Sequence, residues 1–164
     1  MASSFHSTGL DLRHGSRHGK DGSRRGKAGS KALTKDWRDA IAAEDLESID
    51  RLIAGGADVD ARDEHNQTAV MNAARDGHAA VVRMLVDRGA QVNHTAKYGL
   101  TALMLAVIRS HVDVVQVLVD AGADLQVKGT GAPGFHGKTA LDLAEGLGSE
   151  VMVEIIRGRS DRTT

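Results

Sequence analysis

One phrase of five residues occurs three times at equal spacing, beginning at Gly56, Gly89 and Gly122, and that regularity restricts the fold more than any other feature of the chain. Gly56-Ala57-Asp58-Val59-Asp60 recurs as Gly89-Ala90-Gln91-Val92-Asn93 and as Gly122-Ala123-Asp124-Leu125-Gln126. A second phrase keeps the same step. Thr68-Ala69-Val70-Met71 becomes Thr101-Ala102-Leu103-Met104, and its third copy, Thr139-Ala140-Leu141-Asp142, is delayed by a five-residue insertion. A constant period between roughly 20 and 50 residues implies a solenoid of stacked supersecondary units, none of which can bury its apolar face alone. Such arrays usually serve as binding scaffolds rather than catalysts.

Residues 68–99 display one unit whole. Thr68 is placed to cap a first helix, its hydroxyl accepting from an early backbone N–H. The spacing predicts helix A over 69–75, with Val70, Ala73 and Ala74 on one face. Gly77 supplies the permissive backbone of a tight reversal. Helix B is predicted over 78–87, with Val81, Val82, Leu85 and Val86 at helical spacing, and Gly89 ends it. Ala73, Ala74 and Ala106 let the A helices approach closely while bulkier B helices lie outside. That difference curves the stack and leaves a concave side lined by A helices and projecting loops.

These residues resemble the ankyrin repeat. The family pattern of a Gly-x-Thr-Pro-Leu-His turn, Ala-Ala, Gly-His, Val-Val-x-Leu-Leu and Gly-Ala-Asp-Val-Asn maps onto residues 68–93. It maps again onto 101–126, with Ser110 where Gly is usual and Val107 where Ala is usual. The resemblance covers about three quarters of the chain. It implies an all-α solenoid of about four helix–turn–helix repeats joined by β-hairpin-like fingers, at about 35–66, 67–99, 100–137 and 138–158. The first repeat keeps Leu52-Ile53 and its Gly-Ala-Asp phrase but loses the threonine turn, and the last is truncated. The motif's Pro is replaced by Ala69, Ala102 and Ala140, and its His by Met71, Met104 and Asp142. The His side chain ties neighbouring turns in the family, which Met cannot do.

End repeats need polar outer faces. Asp39, Glu44, Glu47, Asp50 and Arg51 supply one, and Glu150, Glu154 and Arg157 the other, so the array is expected to be complete at four and monomeric. Residues 1–35 hold eight Lys/Arg against two Asp/Glu, and the remainder thirteen against twenty, so a total of −1 hides a basic arm on an acidic body. Residues 1–34, rich in Gly, Ser, His and Arg, cannot bury enough surface to offset their entropy and are expected to be disordered, or to be a leader. Residues 159–164 form a polar tail. Cysteine is absent, which excludes disulfides and thiolate metal sites. No signal-like start or membrane-length apolar run is present, and a cytoplasmic location is expected.

Several residues suggest chemistry. Residues 132–139 (Ala132-Pro133-Gly134-Phe135-His136-Gly137-Lys138-Thr139) satisfy a permissive phosphate-loop pattern, but that loop needs a preceding strand in a parallel sheet. Thr139 already has a place as the turn threonine, so nucleotide binding is not expected. Trp37 occupies the repeat's first leucine position and is expected to plug the core. His78 and His111 open helix B at matching positions and are read as structural. His6, His14 and His18 in the arm make no convincing metal site. No catalytic constellation appears, and the chain is read as a non-enzyme without cofactor or metal.

The function expected is protein–protein recognition, as scaffold or adaptor, through the concave face. Transfer by position from the family gives Glu64, His65 and Gln67 on the first finger, and Lys97, Tyr98 and Leu100 on the second. Arg75, Asp76, Ile108 and Arg109 follow from the A helices, and Phe135 and His136 from the long third finger. Tyr98 with Leu100 is the candidate anchor. Phe135 either folds back over the last repeat or projects toward the partner. Arg75 and Arg109 fall on adjacent repeats and are read as addressing one acidic feature of the partner. The alternative is a tether in which the basic arm contacts nucleic acid or another acidic surface non-specifically.

Overall fold

The computed structural model describes residues 32–131 and 133–160. Among them are eight α-helices: α1 (Lys35–Ala42), α2 (Leu46–Ala54), α3 (Ala69–Asp76), α4 (Ala79–Asp87), α5 (Ala102–Ile108), α6 (Val112–Asp120), α7 (Ala140–Gly146) and α8 (Glu150–Ser160). They pair as α1/α2, α3/α4, α5/α6 and α7/α8. The first members pack α1 on α3, α3 on α5 and α5 on α7, and the second members pack α2 on α4, α4 on α6 and α6 on α8. The result is two parallel rows of short helices, an all-α repeat solenoid. Between the rows runs one apolar core from Leu33 to Ile156. The fingers form only isolated bridges among the described residues, Ala32 with Arg62 and Arg62 with Thr68, and no strand.

Each A helix starts for the same reason. The hydroxyls of Thr34, Thr68, Thr101 and Thr139 accept from the backbone N–H groups of Trp37, Met71, Met104 and Asp142, at 3.2–3.4 Å. Each satisfies a donor that the first turn leaves without a helical partner. Thr34 corrects the expectation that the first repeat lacks its threonine. It stands one place further from Thr68 than Thr68 stands from Thr101, because the stretch from the capping threonine to the left-handed residue of the turn, Glu44 or Gly77, is one residue longer in the first repeat. Leu33 is buried, and its N–H donates to the Arg62 carbonyl at 2.7 Å. Leu33 and Thr34 therefore belong to the packed first repeat, not to the arm, and α8 runs on to Ser160. The rest of the arm, with His6, His14 and His18, and the tail beyond Ser160 lie outside the described residues.

Small residues set the spacing of the A row. Ala73, Ala74, Ala106 and Ala144 are fully buried, while the bulk of the core comes from Trp37, Ile41, Ile49, Leu85, Leu103, Leu118 and Ile156. Trp37, at 1% exposure, fills the first repeat and has no surface to offer a partner.

The loops hold the repeats in register. The last residue of the repeated phrase reaches the third residue of the next copy: Asp60 Oδ1 accepts from the Gln91 N–H, and Asn93 Oδ1 from the Asp124 N–H, both at 2.8 Å. The histidines do related work. His111 Nε2 donates to the Arg75 carbonyl at 3.0 Å, one repeat back, and its ring lies over Gly77. A Cβ on Gly77 would come within 2.7 Å of that ring, and the residue's φ of 89° is left-handed, so both the turn and the contact require glycine here. His78 meets Glu44 the same way, Nδ1 to Oε1 at 2.6 Å. Neither histidine caps its own helix with its side chain. The ties that Met71 and Met104 cannot make are thus supplied at the other end of the A helix.

Candidate functional site

The exposed side of the A row and the finger tips meet in a groove between the first two repeats. It encloses about 330 Å³ and is lined by α1, α3 and the first finger. The finger is built around Asp63. Its Oδ1 accepts from the N–H groups of His65 and Gln67 at 2.8 Å, and its own N–H donates to the Gln67 carbonyl at 2.9 Å. This turn directs Glu64 and His65 outward. Arg38 of α1 reaches Glu64 at 3.4 Å, a pair that solvent screens. Arg75 at the end of α3 holds Asp76 with two bonds, Nε to Oδ1 at 2.9 Å and Nη2 to Oδ2 at 3.2 Å, and its Nη1 donates to Gln67 Oε1 at 3.0 Å. The Asp76 carboxylate holds the Arg75 guanidinium above its usual pKa.

Four expected contact residues, Glu64, His65, Arg75 and Asp76, therefore line one groove, and Gln67 is tied into it through Arg75. Arg75 and Arg109, expected to act together, stand in different settings. Arg75 is already committed to Asp76 and Gln67, whereas Arg109 is exposed one repeat further on. The sequence pattern missed Arg38, Asp63 and Asn72. A signal for Asn72 was present: it stands four residues after its capping threonine, the position that the third and fourth repeats fill with Leu105 and Leu143.

The other expected residues lie along the second and third fingers. Tyr98 is 43% exposed, with a left-handed φ of 65° and the Lys97 ammonium 4.9 Å from its ring centre. Its carbonyl accepts from the Thr130 N–H at 2.6 Å, which joins the second finger to the third. Leu100 is partly buried against the core. Ile108 is half-buried against the same core. Phe135 turns inward, packing on the core beside Gly129, where a Cβ would come within 2.6 Å of the Phe135 carbonyl oxygen. His136 stays exposed.

The phosphate-loop pattern has another employment. Thr139 donates its N–H and its hydroxyl to Asp142 Oδ2, both at 2.8 Å, and accepts from the Asp142 N–H, forming a capping box at the start of α7. No strand precedes the loop among the described residues. No cluster of three or more His, Asp or Glu able to hold a metal occurs among them either.

Short helix pairs repeating at one fixed step, tied loop to loop and presenting a polar face on one row, define a helical-repeat binding module. A family model for ankyrin repeats, in three copies, matches residues 38–129. This is more than half of the chain, and the chain belongs to the ankyrin-repeat family. Members of that family are generally protein–protein interaction modules and typically not enzymes. The fourth pair, α7/α8, lies beyond the matched residues and packs on α5/α6 as the earlier pairs pack on one another. No curated protein matches the chain. No helix among the described residues is long and apolar enough to cross a membrane.

Proposed function

We propose that this protein is an adaptor that grips a partner protein through the finger tips and the exposed side of its A helices. One observation carries the reading. The groove between α1 and α3 is lined mainly by charged and amide side chains, Arg38, Asp39, Asp63, Glu64, Arg75 and Asp76 among them, beside Ile41 and Ala42 of α1. Glu64, His65, Gln67, Asp76, Lys97, Tyr98, Arg109 and His136 form the contact surface, with Tyr98 as the aromatic anchor. Leu100, Ile108 and Phe135 support it from below, and Arg75 positions Asp76 and Gln67. A cytoplasmic monomer belongs to the same proposal. For the monomer, the support is the charge on the last repeat, where Arg157 pairs with Glu145 at 2.6 Å beside the exposed Leu147 and Val151.

Affinity capture from a native lysate, using the chain from Ala32 onward, tests the proposal. Tyr98→Ala and Arg109→Glu should each reduce the captured partner without moving the melting midpoint. Arg83→Glu, on the exposed side of α4, should leave capture unchanged. A stronger loss from Arg83→Glu than from Tyr98→Ala would place the partner on the B row. Capture that needs residues 1–31 would instead favour the basic tether.

A further inference from the structure

Asn72 is a polar residue in a leucine position. At the equivalent places in α5 and α7 stand Leu105 and Leu143, both buried at 8% exposure. Asn72 is buried more deeply still, at 5%, yet it lines the groove between α1 and α3. Its one side-chain hydrogen bond runs from Nδ2 to Asp63 Oδ2 at 3.3 Å. A carboxylate only accepts, so the amide nitrogen must face Asp63 and the carbonyl oxygen is the end left over. The residue is buried but this oxygen is not sealed in: it opens onto the groove, a space of roughly ten water volumes, where a donor from solvent or from a ligand can reach it. It calls for a hydrogen-bond donor.

The surrounding charge says which kind. The groove is lined by four carboxylates, Asp39, Asp63, Glu64 and Asp76, and two guanidinium groups, Arg38 and Arg75, a difference of −2. Lys35 pairs with Asp39 from outside the groove and reduces this to −1. Arg75 is neutralised by Asp76 and Arg38 is paired with Glu64. Asp63 shares the Arg75 guanidinium with Asp76, so two carboxylates meet one positive charge. The hydrogen bonds of Asp63 come from neutral donors, the His65 and Gln67 N–H groups and the Asn72 amide. One further positive charge carrying N–H donors balances the groove and satisfies Asn72 together.

We propose that the groove between α1 and α3 receives a cationic side chain, arginine or lysine, of the partner protein, with the Asn72 carbonyl as its acceptor and the groove's excess negative charge around it. This rests on the recognition role proposed above and names the partner's chemistry at one position. It also reverses the sign expected from Arg75 and Arg109, since the first of these is already neutralised inside the groove.

The test uses the isotope-labelled full chain and small probes, so it needs no knowledge of the partner. N-acetyl-arginine methylamide and its lysine counterpart are titrated while the Asn72 side-chain amide, the His65 ring and the Arg75 Nε–H are followed by NMR. Citrulline, leucine and glutamate analogues are the comparison probes. A cationic probe should give saturable shifts at Asn72, the uncharged donor citrulline weaker ones, and leucine and glutamate none. Asn72→Leu, which installs the residue its sister repeats use, should weaken the cationic probe at least about tenfold, the loss of one buried acceptor. Its melting midpoint should not fall, which separates a lost site from a lost fold. Absence of a saturable shift with either cation, a preference for glutamate, or full binding by the Asn72→Leu variant would overturn the proposal. If partner capture still depends on Tyr98 in that event, the recognition role stands and the cation site alone is wrong.

Discussion

The first two repeats and the last two place the same backbone at the same helical position and fill it differently. Four residues after their capping threonines, Arg38 and Asn72 line a polar groove in α1 and α3, whereas Leu105 and Leu143 close the core in α5 and α7. Helix caps and the packing of the rows are alike in the two halves. The solenoid therefore tolerates a polar side chain at this position. In a repeat protein the useful comparison is each residue with its copies one period away, because the copies show what stability alone would select.

The largest effect should come from exchanging the two halves. Leu105→Asn puts an amide where no Asp63 equivalent waits for it. Losing the leucine and stranding a polar group should together cost about 2–4 kcal/mol, read by denaturant unfolding. The reverse change, Asn72→Leu, should leave stability equal or slightly raised. Equal costs for the two exchanges would show that the halves do not differ as described. Leu85→Ala, in the shared core of α4, should cost a similar ~2–5 kcal/mol whichever half is compared, because it removes bulk from the common packing.

Turn residues sharpen the comparison at smaller scale. Gly77→Ala must hold a left-handed φ of 89° and push away the His111 ring, so a loss of about 1–3 kcal/mol is expected. Its copy one repeat later is Ser110, which already bears a φ of 60°. Ser110→Gly should stabilise by roughly 0.5–1 kcal/mol, seen as a higher melting midpoint. No gain would mean that this serine is held in place by something other than the turn.

Most of the fold was legible because the period, the threonine caps and the glycine turns are local signals that repeat. The helix boundaries predicted for the second repeat fall within a residue of α3 and α4. Thr34 and Leu33 escaped because one extra residue between Thr34 and the Glu44 turn breaks the count and the Gly/Ser-rich composition runs almost up to them. The expected fingers were found as turns and bridges rather than strands among the described residues. The site was legible only in part. Exposed finger residues are easy to choose by position, and Glu64, His65, Arg75 and Asp76 do gather in one place. That Arg75 is spent on Asp76, and that Leu100, Ile108 and Phe135 support the core, depends on packing between segments, which no single repeat reveals. Asn72 was the readable clue left unread.

The smallest predicted effect concerns acid. The Thr139 N–H and hydroxyl hold the Asp142 carboxyl below its usual pKa. A depressed carboxylate contributes stability that is present above its unfolded value, near 3.9, and lost as pH falls through the lower folded value. Melting midpoints measured through that range should fall less steeply for Asp142→Asn than for the parent. Because the group is exposed, the difference at neutral pH should be no more than about 0.5 kcal/mol.

Hydrogen exchange of the chain with and without its captured partner tests the central claim most directly. Partner binding through the polar half predicts added protection in residues 35–42 and 63–76 and at the 97–100 turn, with 79–87 and 112–120 of the B row unchanged. Protection confined to the B row, or to residues 1–31, would contradict it.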